Sequence, residues 1–291
     1  MSVEALRFDK ATWTAGLKPL CDMWSALYPR AAFEGLVVTP AQLNAADPVA
    51  AFVYMEVAAV KEVLQAVHES IATITSVLQG TAMLTATSQE EATALLRGAV
   101  PGSWSARWEG PEAPTAWVSL VTKKAAALLL WAERVGKQAL LRGAVDLSEL
   151  FHPETFLNAL RQRSARSLGI AIDELKLVSS FERAKVAGET TVELEGLCLQ
   201  GCEFDGRRLV DIRDGGAGSR ELILLPPCFL AWVGSGEPDP YPAEATVRTP
   251  IYHALDREEL LCTIEAPNQG EAATRVLGGV ALFLAGAGGV E

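Results

Sequence analysis

Cys198 and Cys202 are the side chains whose spacing comes nearest to a metal site, because they stand four residues apart in a predicted strand and share one face. A structural zinc site needs two more ligands, and neither Cys228 nor Cys262 has a second cysteine or histidine at short spacing. We therefore interpret the five cysteines, Cys21 included, as free thiols, and their odd number favours a reducing compartment. We expect neither a metal nor a cofactor in this segment.

Catalytic groupings are weak. A nucleophilic hydrolase needs a Ser or Cys on a strained turn with a His and a carboxylate in reach, and the sequence has no Gly-x-Ser-x-Gly. Cys202, His253 and Asp256 could still assemble from a distance, although any sequence of this length offers such combinations. Glu193 and Glu195 share a predicted strand face, which suits a solvated surface better than an acid/base pair. We predict that the segment is not an enzyme; a deep pocket with a perturbed His or Cys would argue otherwise.

A phosphate-binding loop needs glycines that free backbone N–H groups and a lysine for the β/γ oxygens. Gly136-Lys137 lacks the upstream glycine, and residues 213–219, which we expect to form an exposed flexible loop, contain no lysine. The net charge of −11 opposes phosphate backbones, anionic lipid and acidic filaments such as microtubules. We therefore expect no nucleotide, nucleic acid, membrane or direct microtubule contact.

The composition is that of a globular protein. The 291 residues are 49% hydrophobic and 21% charged, and no apolar run approaches the ~18 residues that a membrane span requires. Glu4 stands where a signal peptide would carry basic residues, so we do not expect secretion. Two basic clusters, Lys123-Lys124 and residues 161–166, could seat acidic partners, but we interpret them as solvated helix faces.

The first part of the sequence has helical periodicity. Trp13, Leu17, Leu20 and Trp24 share one face of a first helix. A long helix is predicted from the Asp47-Pro48 cap to a stop at Gly80. Further helices are predicted from Ser88 to Gly98, from Pro114 toward Gly143 and from Pro153 to Leu168, with residues 101–111 as an ordered, packed loop and His152 as a helix cap.

After Asp173 the apolar period changes to two. The candidate strands are residues 175–181, 190–200, 208–212, 221–233, 250–254, 260–265 and 279–284. Asp205-Gly206 predicts a tight type I′ hairpin turn, since both residues tolerate positive φ. The fold class is therefore α+β, with an antiparallel barrel or sandwich. We assign residues 1–47 to a leading helix and linker, 48–170 to a helical subdomain and 171–291 to the β subdomain.

The order of motifs from about residue 52 to 284 resembles the C-terminal domain of dynein heavy chains. The motifs are Val100-Pro-Gly-Ser-Trp104 and residues 150–166, 196–205, 249–257 and 279–283. Each is weak alone, but their order across most of the sequence is specific. The motif residues, to which the resemblance gives a structural role, are Pro101, Trp104, Phe156, Leu157, Arg166, Gly196, Gly201, Phe204, Asp205, Pro250, Tyr252, Arg257 and Gly279.

Residues 108–112, 137–141 and 146–153 look like the intraflagellar-transport class of the family almost verbatim. Three positions depart from the family pattern. His152 replaces an aromatic, Phe204 replaces the usual tryptophan before Asp205, and a tryptophan is missing near Thr274. The first ~45 residues resemble the family only weakly.

The resemblance implies a structural and regulatory role. In the family this domain follows the last of six AAA+ modules, lies on one face of the ring, and combines helices with a small, incomplete β-barrel; hydrolysis occurs in the ring and microtubule binding at a stalk tip. The expected partners are ring modules of the same heavy chain and, through the parent, dynein subunits and intraflagellar transport particles, in the cytoplasm and cilium or flagellum. The domain would bias ring conformations and so modulate motility. The alternative is a stand-alone α+β adaptor module, which predicts a true start of the protein at residue 1 and no exposed apolar patch.

Overall fold

The computed structural model describes residues 8–28, 37–186, 188, 190–212 and 221–285. The protein packs as two compact units, which we name the helical unit (Met1–Leu43 with Tyr54–Leu130) and the mixed unit (Asn44–Val53 with Trp131–Glu291). This division follows packing. The boundaries predicted above at residues 47 and 170 follow the period of the sequence and stay predictions.

The helices occupy most of the first 170 residues. Their bounds are α1 Lys10–Leu27, α2 Pro40–Leu43, α3 Pro48–Gln79, α4 Ala86–Leu96, α5 Gly102–Ser105, α6 Pro114–Gly136 and α7 Pro153–Leu168, and a last short helix, α8 Ala272–Leu277, lies among the strands. No helix in the described part of the protein has the length and apolarity needed to cross a bilayer.

The long helix α3 confirms its predicted signals. The Asp47 carboxylate accepts a hydrogen bond from the Val49 N–H at 3.1 Å, which satisfies one of the free donors of the first turn. Gly80 ends the helix with a φ of +82°. The apolar face predicted for α1 is also confirmed, since all four of its members are buried, with Trp13 and Leu17 packed on Ile74 of α3.

Two helix predictions between residues 85 and 111 are wrong in detail. Helix α4 begins before Ser88, because the Thr85 hydroxyl accepts from the Ser88 N–H at 3.2 Å and the Ser88 hydroxyl accepts from the Thr85 N–H at 3.0 Å. The segment 101–111 is not wholly a loop, since Pro101 starts the single turn α5. Trp104 in that turn is fully buried, so the segment is packed as expected.

Helix α6 stops at Gly136, short of the predicted approach to Gly143. Gln138 takes a left-handed conformation with φ +52°, which cannot continue an α-helix. The Arg134 guanidinium then donates to the carbonyls of Leu140 at 2.6 Å and Gly143 at 3.1 Å. These bonds fold the next turn back against the end of the helix.

The mixed unit contains the strands. They are β1 Val145–Asp146, β2 Leu175–Ser180, β3 Val192–Glu195, β4 Leu197–Gln200, β5 Glu203–Phe204, β6 Leu209–Val210, β7 Ile223–Leu224, β8 Cys228–Gly234, β9 Thr246–Tyr252, β10 Leu260–Pro267 and β11 Ala281–Leu284. One sheet has the order β1-β3-β8-β2, another β10-β9-β11-β4-β7, and β5 pairs with β6. All pairings of these strands are antiparallel except β1 with β3 and β11 with β9. These antiparallel-rich sheets are not closed into a barrel, in agreement with the α+β, incomplete-barrel expectation.

Two predicted strands are each divided in two. Gly196, with φ +74°, separates β3 from β4 and carries the backbone from the four-stranded into the five-stranded sheet. The pair Pro226-Pro227 separates β7 from β8, because proline has no N–H for the ladder. Both breaks lie inside apolar runs that read as single strands.

The hairpin β5–β6 is confirmed, but its turn type is wrong. Of the two residues in the predicted turn, only Gly206 has a positive φ, of +98°, whereas type I′ requires two. The Asp205 carboxylate instead accepts from the N–H groups of Arg207 at 2.9 Å and Arg208 at 3.0 Å, which closes an Asx turn. The loop predicted at residues 213–219 lies outside the described residues.

Candidate interaction site around the last strand

The last strand, β11, brings together three of the sequence motifs. It pairs antiparallel with β4, with Phe283 opposite Cys198, and parallel with β9, with Phe283 beside Tyr252. Residues 196–205, 249–257 and 279–283, which are far apart in sequence, therefore become neighbours in one sheet. We name this region the β11 site.

Arg257 ties the three motifs of the β11 site together. Its guanidinium donates to the Gly279 carbonyl at 2.9 Å and to Oε1 of Gln200 at 3.0 Å, and it lies 5.6 Å from the centre of the Phe283 ring. The Arg257 backbone has a φ of +62°, which is unusual for a residue with a side chain. Such strain persists only where the surroundings fix the conformation, and here the side-chain bonds do so.

Gly201 is required by a close backbone approach. It has a φ of +92°, and a Cβ built there would lie 3.1 Å from both the Gly278 carbonyl oxygen and the Val280 Cα. Backbone atoms cannot move aside as a flexible side chain can. The turn after β4 and the turn before β11 therefore fit together only with glycine at this position.

The remaining motif residues of this half are packed in the sheets. Tyr252 stacks on Phe283 with 6.0 Å between ring centres, and Phe204 meets Phe181 edge-on at 4.8 Å. Pro250 stands in β9 opposite Thr263 of β10. None of these side chains brings a nucleophile, acid or base to the site, so the β11 site is a scaffold and not a reaction centre.

Arg275 is an important residue that sequence reasoning missed. It is 3% exposed, and its guanidinium donates to Oδ1 of Asn268 at 2.9 Å, to the Gln269 carbonyl at 2.8 Å and to the Asp211 carboxylate. These partners lie between 6 and 64 residues away in the sequence, so no local pattern points to it. An arginine in a short segment of alanine, valine and leucine reads as its solvated member, whereas here it is the buried one.

The motif on α7 packs elsewhere in the mixed unit. Phe156 is fully buried and meets Trp131 edge-on at 5.2 Å and Phe52 at 5.7 Å, and Leu157 is buried beside it in the helix. Arg166 donates to the Ala46 carbonyl at 2.5 Å. These contacts attach the segment before α3 to α7.

The basic clusters are not simply solvated faces, and that interpretation is wrong for four residues. Arg161 donates to the Ile172 carbonyl at 2.8 Å, Arg163 pairs with Asp47 at 3.1 Å, and Arg166 holds Ala46 as described. In the helical unit, Lys124 is buried, with its ammonium 5.9 Å from the centre of the Trp108 ring. These cations are used within the protein, where they join segments that sequence analysis treats separately.

Pro101 and Trp104 belong to the helical unit and not to the β11 site. Trp104 lies 5.5 Å from Trp117, and Trp117 lies 5.3 Å from Trp108, measured between ring centres. The indole N–H groups of Trp104 and Trp117 are buried and have no hydrogen-bond partner among the described residues. We name these three residues the tryptophan cluster.

The thiols are poorly suited to nucleophilic chemistry. Burial raises the pKa of Cys202 to about 11, and it raises the pKa values of Cys228 and Cys262 to about 12. His253, the base of the triad considered above, has its Nδ1 3.8 Å from the Glu259 carboxylate. In the part of the protein that the structure describes, no group of three His, Cys, Asp or Glu side chains could hold a metal ion.

His152 occupies the N-cap position of α7, but its side chain makes no capping hydrogen bond. Pro153 begins the helix instead, because its fixed φ suits the first turn and its missing N–H leaves one donor fewer to satisfy. The expected role of His152 as a side-chain cap is therefore wrong.

Comparison with known proteins matches residues 10–284 to the family model for the C-terminal domain of the dynein heavy chain. The sequence is 34% identical over 278 residues to cytoplasmic dynein 2 heavy chain 1 of Mus musculus, with 96% of this protein and 6% of that one covered. It is 36% identical over 296 residues to cytoplasmic dynein 2 heavy chain 1 of Chlamydomonas reinhardtii, with 95% and 7% covered. To the flagellar outer arm dynein beta chain of the same alga it is 25% identical over 210 residues, with 71% and 4% covered. The protein thus spans only 4 to 7% of the length of these three relatives.

Proposed function

The protein belongs to the family of dynein heavy-chain domains found at the C-terminal end, and from that premise we propose that it is a non-catalytic part of a dynein motor that packs on the AAA+ ring and modulates ATP-driven, minus-end-directed movement along microtubules. We further propose that this motor drives retrograde intraflagellar transport, in the cytoplasm and the cilium or flagellum. The relatives named cytoplasmic dynein 2 heavy chain 1 support the second step, because the two compared above are 34 and 36% identical, whereas the outer arm beta chain is 25% identical.

The observation that carries the proposal is the convergence of three family motifs on the β11 site. Arg257, Gly201 and the pairing of Phe283 make this site a rigid connection between segments that are distant in sequence. A rigid body that contacts a ring differently in two of its states shifts their populations by the difference in contact free energy. About 1.4 kcal/mol of such a difference changes the population ratio tenfold.

The stand-alone adaptor is the second candidate, and the exposed side chains argue against it. An independent module is expected to leave no exposed apolar patch, whereas Val276 and Leu277 of α8 are 66% and 89% exposed. The proposed partners are accordingly modules of the same heavy chain, with dynein subunits and intraflagellar transport particles reached through the parent.

The test is motility of a dimerised motor on microtubules, in which the complete heavy chain is measured beside one that ends just before this segment. We expect run length or stall force to change while ATP hydrolysis is retained. Unchanged motility would reject modulation by this segment. Loss of hydrolysis would instead assign it to the folding of the ring.

The transport assignment needs its own measurement. The heavy chain that bears this segment is depleted in ciliated or flagellated cells, and the velocities of particles moving in both directions are recorded. We expect retrograde movement to fall and anterograde movement to persist. Equal loss in both directions would contradict the assignment.

A further inference from the structure

Helix α8 places its apolar residues outside and its charge inside. Arg275 is the buried member of Ala272–Leu277, and Val276 and Leu277, the largest apolar side chains of the helix, are exposed. A surface helix ordinarily buries its apolar face and leaves charges in water. The reversal indicates a helix that is held in place by a polar anchor so that it presents apolar side chains outward.

The anchor fixes this orientation. Rotating α8 to bury Leu277 would withdraw the Arg275 guanidinium from Asn268, Gln269 and Asp211 and leave buried polar groups unpaired. The end of the helix is fixed too, since the Val280 N–H donates to the Arg275 carbonyl at 3.1 Å. The exposure of Val276 and Leu277 is therefore built into the fold.

A second segment extends the same surface. Leu255 and Leu260 flank the connection between β9 and β10 and are 42% and 54% exposed. Arg257 in that connection donates to the Gly279 carbonyl, two residues beyond Leu277, and so holds the connection against the end of α8. We define Leu255, Leu260, Val276 and Leu277 as the α8 surface.

Acidic residues accompany the α8 surface. Asp256, Glu258, Glu259 and Glu271 are exposed beside it. The lysine and arginine residues of segments 253–260 and 271–280 are Arg257 and Arg275, and both guanidinium groups are already bonded within the protein. The surface thus has an apolar centre and a negatively charged surround, which selects a partner of opposite charge.

We propose that the α8 surface docks an apolar protein segment flanked by lysine or arginine, belonging to the remainder of the same heavy chain. The location of that segment rests on the proposed function. A second copy of this protein would bring the same carboxylates, and an anionic lipid surface would meet the net charge of −11, so like charges oppose both.

The experiment uses the full-length heavy chain with a photo-reactive amino acid in place of Leu277. The matched control has it in place of Met83, which is 88% exposed and lies in the helical unit. We expect position 277 to cross-link to one lysine- or arginine-bearing peptide of the same heavy chain, at least tenfold above position 83. The cross-link made from position 277 should fall at least fivefold when Val276 is replaced by Glu, because the new charge enters the apolar centre.

Three results would overturn the proposal: a cross-link to a second copy, a cross-link to a different polypeptide, or a yield at position 277 no higher than at position 83. Lysine-directed chemical cross-linking of the same sample separates this inference from the proposed function. Links from other parts of this domain to the remainder of the heavy chain, with none at 277, would sink the α8 surface alone. No link from any part of this domain would sink the docking of the whole domain.

Discussion

The tryptophan cluster and the α8 region treat buried polar groups in opposite ways. Trp104 and Trp117 bury indole N–H groups that have no acceptor among the described residues, in a setting that is otherwise apolar. Arg275 buries a full charge and gives it three acceptors, while apolar neighbours are left outside. The first arrangement serves packing, where volume matters most. The second fixes an orientation, and that is how a docking surface is held ready.

The largest effect is expected from Arg275→Ala. The change leaves the buried Asn268 carboxamide oxygen without its donor and opens a cavity, which together cost about 4 kcal/mol. Arg275→Lys keeps the charge but not the forked geometry and should cost about half as much. Native-state hydrogen exchange at the Gly278 and Val280 amides, which bond to carbonyls of α8, measures the loss. Equal costs for the two variants would mean that charge alone anchors the helix.

A comparable effect is expected from Gly201→Ala, which tests how closely the β11 site is packed. The new Cβ meets backbone atoms at 3.1 Å in a left-handed conformation, so we expect a loss of about 3 kcal/mol in unfolding free energy. Gly206→Ala is the matched control. Its φ of +98° is as unfavourable, but a Cβ there meets nothing within 4 Å, so strain alone costs about 1 kcal/mol. Chemical denaturation of both variants gives the difference, and equal losses would reduce the role of Gly201 to backbone conformation.

A smaller effect separates satisfied from unsatisfied indoles. Trp131 donates from Nε1 to the Glu149 carboxylate at 2.6 Å, so Trp131→Phe should cost about 2 to 3 kcal/mol. Trp104→Phe removes a donor that has no partner among the described residues, and the relief offsets the lost volume, giving a net change within about 1 kcal/mol. Denaturant midpoints of the two variants provide the measurement. A larger loss for Trp104→Phe would contradict the assignment of the tryptophan cluster to packing.

Local signals in the sequence account for the elements that are fixed by their sequence neighbours. The cap at Asp47 and the stop at Gly80 gave both ends of α3, and Pro153 gave the start of α7. Breaks inside apolar runs, such as Gly196 within 190–200, escape because a lone glycine does not announce its φ. The family resemblance supplied Arg257 and Gly201 as residues, but not the contacts that explain them.

The candidate docking surface was beyond sequence reasoning for a different physical reason. Burial of Arg275 depends on Asp211 and Asn268, which reach it only through the fold. Periodicity assigns charges to water and leucines to the core, and α8 reverses that rule. A site of this kind becomes visible only when the exposure of each side chain is known.

The smallest effect concerns pH, at the acceptor of the satisfied indole. Burial raises the pKa of the Glu149 carboxyl above its ordinary value of 4.5, and Asp146 and Glu195 add to the rise, against the lowering by the Trp131 bond and by Arg134. The stability from this raised pKa is present in full below about pH 4.5 and is lost as the pH rises through the folded-state pKa. Glu149→Gln cannot ionise and still accepts from Trp131, so its stability relative to the parent should increase from about pH 4.5 to about pH 7.

Glu133→Gln is the control of opposite sign for that pH series. A hydrogen bond and the charge of Lys137 lower the pKa of the Glu133 carboxyl, so its stability is present above its ordinary pKa and is lost as the pH falls. The difference between parent and Glu133→Gln should therefore shrink toward acid pH, whereas the Glu149→Gln difference grows toward neutral pH. Unfolding midpoints across the pH range check both slopes. Parallel slopes would show that the environment of the Trp131 acceptor does not differ from that of a surface carboxylate, and the contrast between satisfied and unsatisfied indoles would rest on geometry alone.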